Sequence, residues 1–133
     1  MTAPPRIAAL LALATADADA AEKLADMLPG HAAFHLQQSA EKLTRAFLLS
    51  AGIEGGVTHD IEALASKLPA GHVWRDRLLA LRKHSPSATR YRYPTVSGRV
   101  PPPPSLQEIV SDLSSLRELI VAARKTLGVT GDG

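Results

Sequence analysis

The chain has 133 residues, no cysteine, 4% aromatic residues and a formal net charge of +2. Its length suits one domain with a single core, and the lack of cysteine excludes disulfides, thiolate metal sites and cysteine nucleophiles. Alanine and leucine predominate over valine and isoleucine, which argues against a β-sandwich or barrel. A hydrophobic content of 45% argues against a disordered chain. No apolar run approaches the ~20 residues of a membrane span, so we expect no membrane partner.

The charge is unevenly distributed along the chain. Residues 1–66 carry a net charge of −4, residues 67–99 of +7 and residues 100–133 of −1. A basic segment inside a nearly neutral chain indicates an anionic partner. A solvated cationic face explains the charge alone equally well.

The amino-terminal segment allows two interpretations. Arg6 followed by apolar residues 7–14 is similar to a short secretory signal, with small residues at a possible cleavage site. However, the pair Pro4-Pro5 is typical of a helix start, and the helical pattern continues beyond that site. We therefore expect a first helix in a cytoplasmic protein.

Apolar residues spaced three and four apart predict five helices. In chain order, they cover about residues 5–28, 31–51, 58–68, 73–84 and 105–127. Thr58 is the predicted N-cap of the short third helix, and Ser105 opens the last helix in a capping box with Glu108. Leu106 and Val110 belong to the predicted apolar stripe of the last helix. The predicted fold is all-α, an up-and-down four-helix bundle with one additional short helix, in one domain over residues 1–133.

A long connection at residues 85–104 separates the fourth and last helices. Loops of more than ~12–15 residues in a compact domain are usually functional or disordered. This one holds both tyrosines of the protein, Tyr91 and Tyr93, interleaved with Arg90 and Arg92. Guanidinium groups suit phosphate, and tyrosines stack on bases or donate a hydroxyl. Alternatively, a tyrosine closes the end of the bundle and the arginines pair with helix carboxylates.

Histidines suggest a metal site, which the spacing does not support. His31 and His35 are four apart on the second helix, and His59 lies near the start of the third. No carboxylate completes a ligand motif, so we expect no metal and no other cofactor. Glu41 and Arg45 are spaced for an ion pair on the second helix. By default, four polar residues form the solvent face of this helix: His35, Gln38, Lys42 and Arg45.

Arg77 and His84 form a second candidate site. Six residues separate them, which places both on roughly one face of the predicted fourth helix. They are a candidate pair for RNA cleavage, with His84 as general acid or base. The sequence contains no Gly-rich phosphate loop and no nucleophile elbow.

Three short segments carry a resemblance to a known family. Residues 34–42 (FHLQQSAEK) and 45–48 (RAFL) follow the pattern F-x-x-Q-Q-x-x-E-K-x-x-K-A-x-L. Residues 58–61 (THDI) with Leu64 follow T-H-D-L-x-x-L, and residues 92–94 are Arg-Tyr-Pro. In this order the segments resemble the motifs of HEPN domains.

The resemblance implies an α-helical up-and-down bundle that binds a nucleotide and forms a homodimer. HEPN domains are similar to the C-terminal region of kanamycin nucleotidyltransferase. They often act with a separate minimal nucleotidyltransferase, as two-component or toxin–antitoxin pairs. The expected ligand-binding residues are His59, Arg90, Tyr91, Arg92 and Tyr93, and the expected supporting polar residues are Gln38, Glu41, Lys42 and Asp60.

Two alternative functions stay open. Some HEPN proteins are metal-independent ribonucleases with an Arg-x(4–6)-His motif, and only Arg77 and His84 fit that spacing here. The chain would then be an endoribonuclease toxin acting on RNA. In the other alternative it is a purely structural, dimerising bundle, in which Gln38, Glu41 and His59 make buried hydrogen bonds that fix helix packing. We expect any nucleotidyl transfer to require another polypeptide.

Overall fold

The computed structural model describes residues 4–129, in which every regular element is helical. These residues form α1 (Pro5–Leu24), α2 (Pro29–Ser50), α3 (Ile61–Ala65), α4 (Arg75–Leu79), a 3₁₀ segment (Ala80–Ala88) and α5 (Leu106–Leu127). The 3₁₀ segment continues α4 directly, so the two together make the fourth longer helix. The predicted all-α bundle of four longer helices and one short helix is confirmed.

Helix α2 occupies the middle of the fold. It shares its largest interface with α1 and also packs against α3, the 3₁₀ segment and α5. Small side chains allow α1 and α2 to approach closely, because Ala14, Ala18 and Ala21 of α1 are all 0% exposed. One cluster of buried apolar residues includes members from all five α-helices. Side chains on α2 are therefore held by neighbours on most sides.

Helix α1 ends at Leu24, earlier than the predicted Leu28. Pro29 is the first residue of α2, where its missing N–H is tolerated. A proline disfavours the α conformation at the residue before it, and Leu28 has φ −139° and ψ 68°. The prediction was wrong because Pro29 begins a helix and ends the preceding one within the same few residues.

The N-cap of α3 is Asp60 and not the predicted Thr58. The Asp60 carboxylate accepts a hydrogen bond from the backbone N–H of Glu62 at 3.0 Å. The Thr58 hydroxyl accepts one from the backbone N–H of Asp60 at 3.1 Å. Thr58 therefore stabilises the turn that leads to the cap, and α3 begins two residues later than a Thr58 cap would allow.

The fourth helix changes its geometry at Ala80. The α-helix ends at Leu79, before the predicted end at His84, and the 3₁₀ segment continues to Ala88 with Pro86 inside it. Proline has no N–H and its ring clashes with the carbonyl four residues earlier in an α-helix, so α geometry cannot continue through Pro86. The long connection consequently begins at residue 89 and not at residue 85.

Two residues of the predicted α5 stripe are exposed, Leu106 by 46% and Val110 by 54%. Leu106 lies in the first turn, before the first buried residue of the helix, Ile109. Val110 lies about 100° around the helix from Ile109, outside the face that packs on α1 and α2. Within residues 4–129, no helix combines the length and hydropathy that crossing a membrane requires.

The capping box of α5 yields a stability prediction. The Ser105 hydroxyl accepts from the Glu108 backbone N–H at 3.1 Å, and the Glu108 carboxylate accepts from the Ser105 backbone N–H at 3.4 Å. Ser105→Ala is expected to lower the free energy of unfolding in urea by about 1 kcal/mol, because the cap is lost. Ser114→Ala, at an exposed position inside the same helix, is the control and should not lower it. Equal losses in both variants would contradict this role of Ser105.

Candidate functional site on helix α2

Four of the predicted site residues, Gln38, Glu41, His59 and Arg92, lie on or against one face of α2. Its members recur at three- and four-residue spacing, so they share that face. His59 approaches it from the connection before α3, and Arg92 from the loop after the 3₁₀ segment. We call this surface the site face, made of Phe34, Gln38, Glu41 and Arg45 of α2 together with His59 and Arg92.

Glu41 is a buried carboxylate with three side-chain donors. Its Oε1 accepts from His59 Nδ1 at 2.9 Å and from Gln37 Nε2 at 2.9 Å, and its Oε2 accepts from Arg45 Nε at 3.1 Å. Burial raises the pKa of Glu41, but the hydrogen bonds from His59, Gln37 and Arg45 outweigh it and hold the pKa below its usual value. Glu41 is therefore ionised at neutral pH, and its expected ion pair with Arg45 is present.

The carboxylate fixes the orientation of His59. An ionised carboxylate only accepts hydrogen bonds, so Nδ1 of His59 carries a proton. Nε2 makes no hydrogen bond to another residue in the described part of the chain. The His59 side chain is 65% exposed, so the ring is anchored at one nitrogen while the other faces solvent.

Arg45 attaches the connection between α2 and α3 to the site face. Its Nη1 donates to the carbonyl of Gly56 at 2.8 Å, and its Nη2 to that of Thr58 at 2.6 Å. A Cβ on Gly55 would lie only 2.6 Å from Arg45 Nη1, so glycine gives the guanidinium its space. These contacts hold the backbone that carries His59.

Gln37 and the loop contacts of Arg45 were not predicted. Gln37 is 0% exposed and also approaches the carbonyl of His59 at 3.4 Å. The position of Gln37 beside the apolar stripe of α2 could have indicated that its side chain is buried. A buried amide requires hydrogen-bond partners. Gln38, an expected supporting residue, donates to Gln37 Oε1 at 2.7 Å and so extends the same network.

The Arg-Tyr-Pro loop lies on the amino-terminal half of α2. The guanidinium of Arg92 is 4.1 Å from the centre of the Phe34 ring. Tyr91 packs against Gly30, where an added Cβ would lie 2.9 Å from the Tyr91 Cβ. Tyr91 is thus partly buried and positions the loop, while Arg92 stacks on a ring and is itself exposed.

Arg90 and Tyr93 extend into solvent from the same loop. The Arg90 guanidinium is 5.7 Å from the centre of the Tyr91 ring, and Tyr93 is 61% exposed. Across residues 4–129, neither Arg90 nor Arg92 forms an ion pair with a carboxylate. The loop therefore presents two cations whose charge is not neutralised by these helices.

The polar row of α2 is not the free solvent face that was predicted. Asp17 of α1 accepts from Nδ1 of His35 at 2.9 Å and from the ammonium of Lys42. The side chains of His35, Lys42 and Arg45 are 30%, 25% and 22% exposed. Because Asp17 of α1 pairs with His35 and Lys42 of α2, the polar row is half-buried, although its sequence pattern is that of a solvent-exposed face. Lys42, an expected supporting residue, thus pairs with α1.

Arg77 and His84 differ in their surroundings. Arg77 is exposed, with its guanidinium 4.8 Å from the centre of the Trp74 ring. His84 is 5% exposed, and burial lowers its pKa, with Asp112 opposing the shift. Because 3₁₀ geometry begins at Ala80, the pair is separated by roughly 12 Å along the axis, and the simple one-face argument no longer applies.

The described residues hold no group of three histidine, aspartate or glutamate side chains that could bind a metal ion.

A model of the HEPN domain matches residues 7–127 of the chain. The chain belongs to the HEPN domain family. The match extends from α1 to the end of α5 and includes all three motif segments, so the resemblance seen in the sequence is confirmed. Comparison with curated proteins and with solved structures gave no match.

The HEPN motif residue Glu41 yields a pH prediction. Its folded pKa lies below the unfolded value of about 4.3, so the unfolded chain binds more protons in acid. The stabilisation is fully present above the unfolded pKa and is lost as the pH falls through the folded pKa. Glu41→Gln should therefore lose less unfolding free energy than wild type between neutral pH and pH ~3, measured by urea denaturation. Glu118→Gln, on the exposed side of α5, should follow the wild-type profile. Identical profiles for wild type and Glu41→Gln would contradict the assignment.

Gly30 yields a prediction about the loop of this HEPN domain. Alanine forms helices better than glycine by ~1 kcal/mol, yet a Cβ at Gly30 would press on Tyr91. We expect Gly30→Ala to lower the melting temperature and to shift the amide NMR signals of residues 89–94. Gly71→Ala is the control, because nothing lies within 4 Å of its added Cβ. A higher melting temperature for Gly30→Ala, with unchanged signals in the loop, would disprove this packing.

Proposed function

We propose that this HEPN domain binds a nucleotide at the site face, with its phosphates on Arg90 and Arg92 and its base on Tyr93. The main support comes from Arg92. Its guanidinium is stacked on Phe34, and its N–H groups have no hydrogen-bond partner among the described residues. A planar guanidinium donates two parallel hydrogen bonds to phosphate oxygens. Because the stacking already restricts Arg92, less conformational entropy is lost when a ligand binds.

His59 supplies a second polar contact on the same face. Its contact residue Glu41 lies seven positions after Phe34, which is about 10 Å along the axis of α2. Such a separation suits an extended ligand with polar groups at both ends, such as a nucleoside diphosphate or triphosphate. The exposed Nε2 of His59 is available to a phosphate or ribose hydroxyl, and Glu41 keeps the ring in place.

The charge distribution favours an anionic ligand. The loop belongs to residues 67–99, which carry a net charge of +7. Lys42 and Arg45 of α2 are paired with Asp17 and Glu41, so most of the available positive charge at the site comes from the loop. Binding should therefore weaken as the salt concentration rises.

We further propose that the domain works in the cytoplasm as a homodimer, with a separate nucleotidyltransferase, as a two-component or toxin–antitoxin pair. The support for this proposal is membership of the HEPN family. Sedimentation equilibrium tests the dimer, and a purely monomeric protein at micromolar concentration would exclude it.

Calorimetry with ATP, GTP and a short single-stranded RNA tests the binding proposal. Wild type should bind one of the nucleotides, and Arg92→Ala should weaken that binding about tenfold or more, because charge-assisted hydrogen bonds are lost. Arg99→Ala is the matched control, since Arg99 is exposed in the same loop and carries the same charge. Its effect should stay below about threefold, from screened long-range attraction alone.

Three results would refute the proposal. Wild type fails to bind any nucleotide, Arg92→Ala binds as wild type does, or Arg92→Ala and Arg99→Ala lose equal affinity. The last result would assign the effect to net charge and not to the stacked arginine. Tighter binding of the RNA than of ATP or GTP would instead point to a nucleic-acid ligand.

A further inference from the structure

Four consecutive prolines, residues 101–104, join the long loop to α5 and have no role in the site face. We call them the proline strap. The proline ring fixes φ at about −65°, and a residue that precedes a proline is restricted to extended conformations. The peptide bonds of the described residues are all trans, and Ser105, directly after the strap, has φ −70° and ψ 158°. The strap therefore adopts a polyproline II helix, which has three residues per turn.

The burial of the proline strap follows this three-residue period. Pro101 and Pro104 are half-buried, whereas Pro102 and Pro103 are exposed. Because residues three apart share an edge of a polyproline II helix, one edge packs against the protein and the other two face solvent. Val100 shares an edge with Pro103 and is 60% exposed. The two free edges thus present apolar side chains to solvent.

The chain is fixed on both sides of the proline strap. Before it, a turn joins Thr95 to Arg99: the backbone N–H of Thr95 donates to the carbonyl of Arg99 at 2.7 Å, and the Thr95 hydroxyl accepts from the Arg99 backbone N–H at 3.1 Å. After it, Ser105 belongs to the capping box of α5. A segment that is already ordered loses less conformational entropy when it binds a partner.

The chemistry of the proline strap specifies what a partner must supply. Its prolines have no N–H, and its carbonyls accept no hydrogen bond from residues 4–129, so a partner has to donate hydrogen bonds and not accept them. Arg99, just before the strap, is exposed and forms no ion pair within the described residues. Residues 77–107 contain no aspartate or glutamate, so a negative charge on the partner meets no like charge in this segment.

We propose that the proline strap docks into an aromatic groove of a partner protein, of the kind that WW domains have, with an acidic side chain beside the groove that pairs with Arg99. Tryptophan and tyrosine side chains offer flat apolar surface to proline rings and donate hydrogen bonds to carbonyls. The groove contacts the two free edges, and the edge with Pro101 and Pro104 stays against the bundle. This inference does not depend on the proposed nucleotide site.

An NMR titration of the ¹⁵N-labelled full-length chain tests the docking. The probe is a purified, unlabelled WW domain that has acidic residues beside its aromatic groove. The amide signals of Val100 and Ser105, which flank the strap, should shift saturably. The same WW domain with those acidic residues replaced by the neutral amides should bind roughly fivefold more weakly, because the charged contact with Arg99 is lost.

Variants of the chain locate the contact. Pro103→Ala, on a free edge, should weaken binding roughly fivefold, because ring contacts and preorganisation are lost. Pro69→Ala, at an exposed proline between α3 and α4, is its control and should bind as wild type does. Arg99→Ala should also weaken binding roughly fivefold, and should lose no more with the neutral WW domain. Arg82→Ala removes the same charge from the exposed 3₁₀ segment and should have an effect below about twofold.

Three outcomes would overturn the proposal. The signals of Val100 and Ser105 do not shift saturably at millimolar concentrations of the WW domain, Pro103→Ala and Pro69→Ala bind equally well, or Arg99→Ala and Arg82→Ala lose equal affinity. The first outcome would leave the strap as a rigid connection to α5. The second would place the contact elsewhere on the chain, and the third would assign the effect of Arg99 to net charge.

Discussion

The ionised carboxylate of Glu41 is the interaction on which the organisation of the site depends. A charge that is 93% buried would be unfavourable without partners, and here His59, Gln37 and Arg45 supply donors to both of its oxygens. Two of those donors also attach the connection between α2 and α3 to helix α2. His59 belongs to the connection before α3, and Arg45 binds the backbone of that same connection.

This network continues from α2 to the Arg-Tyr-Pro loop. The backbone N–H of Ile61, at the start of α3, donates to the hydroxyl of Ser85 in the 3₁₀ segment at 3.0 Å. Pro86, the next residue, accepts from the backbone N–H of Arg90 at 2.9 Å, at the start of the loop. The loop then returns to α2 through Tyr91 and Arg92. Segments distant in sequence therefore meet on one helix that is itself held by the bundle core.

The sequence predicted what depends on spacing along one element. Stripes of apolar residues located the helices, the capping box began α5 where expected, and three short motifs indicated the HEPN family. The ends of helices were predicted less well where two local sequence signals competed. Pro29 both ends one helix and begins the next, and Thr58 and Asp60 are both good caps within two residues.

Side-chain contacts between different elements could not be predicted from the spacing of residues along one element. The row containing His35 and Lys42 has the pattern of a solvent face, yet its partner Asp17 is 18 positions from His35 and on another helix. The contact between Arg92 and Phe34 likewise joins a loop to a helix far apart in the chain. Such contacts depend on how the bundle packs, which periodicity does not specify.

A double-mutant cycle measures the coupling between the Glu41 carboxylate and His59. Free energies of unfolding are measured at neutral pH for wild type, Glu41→Gln, His59→Ala and the double variant. A buried carboxylate bound to a largely exposed imidazole should give a coupling energy of about 1 kcal/mol. Additivity of the two substitutions to within about 0.3 kcal/mol would show that the carboxylate does not hold His59.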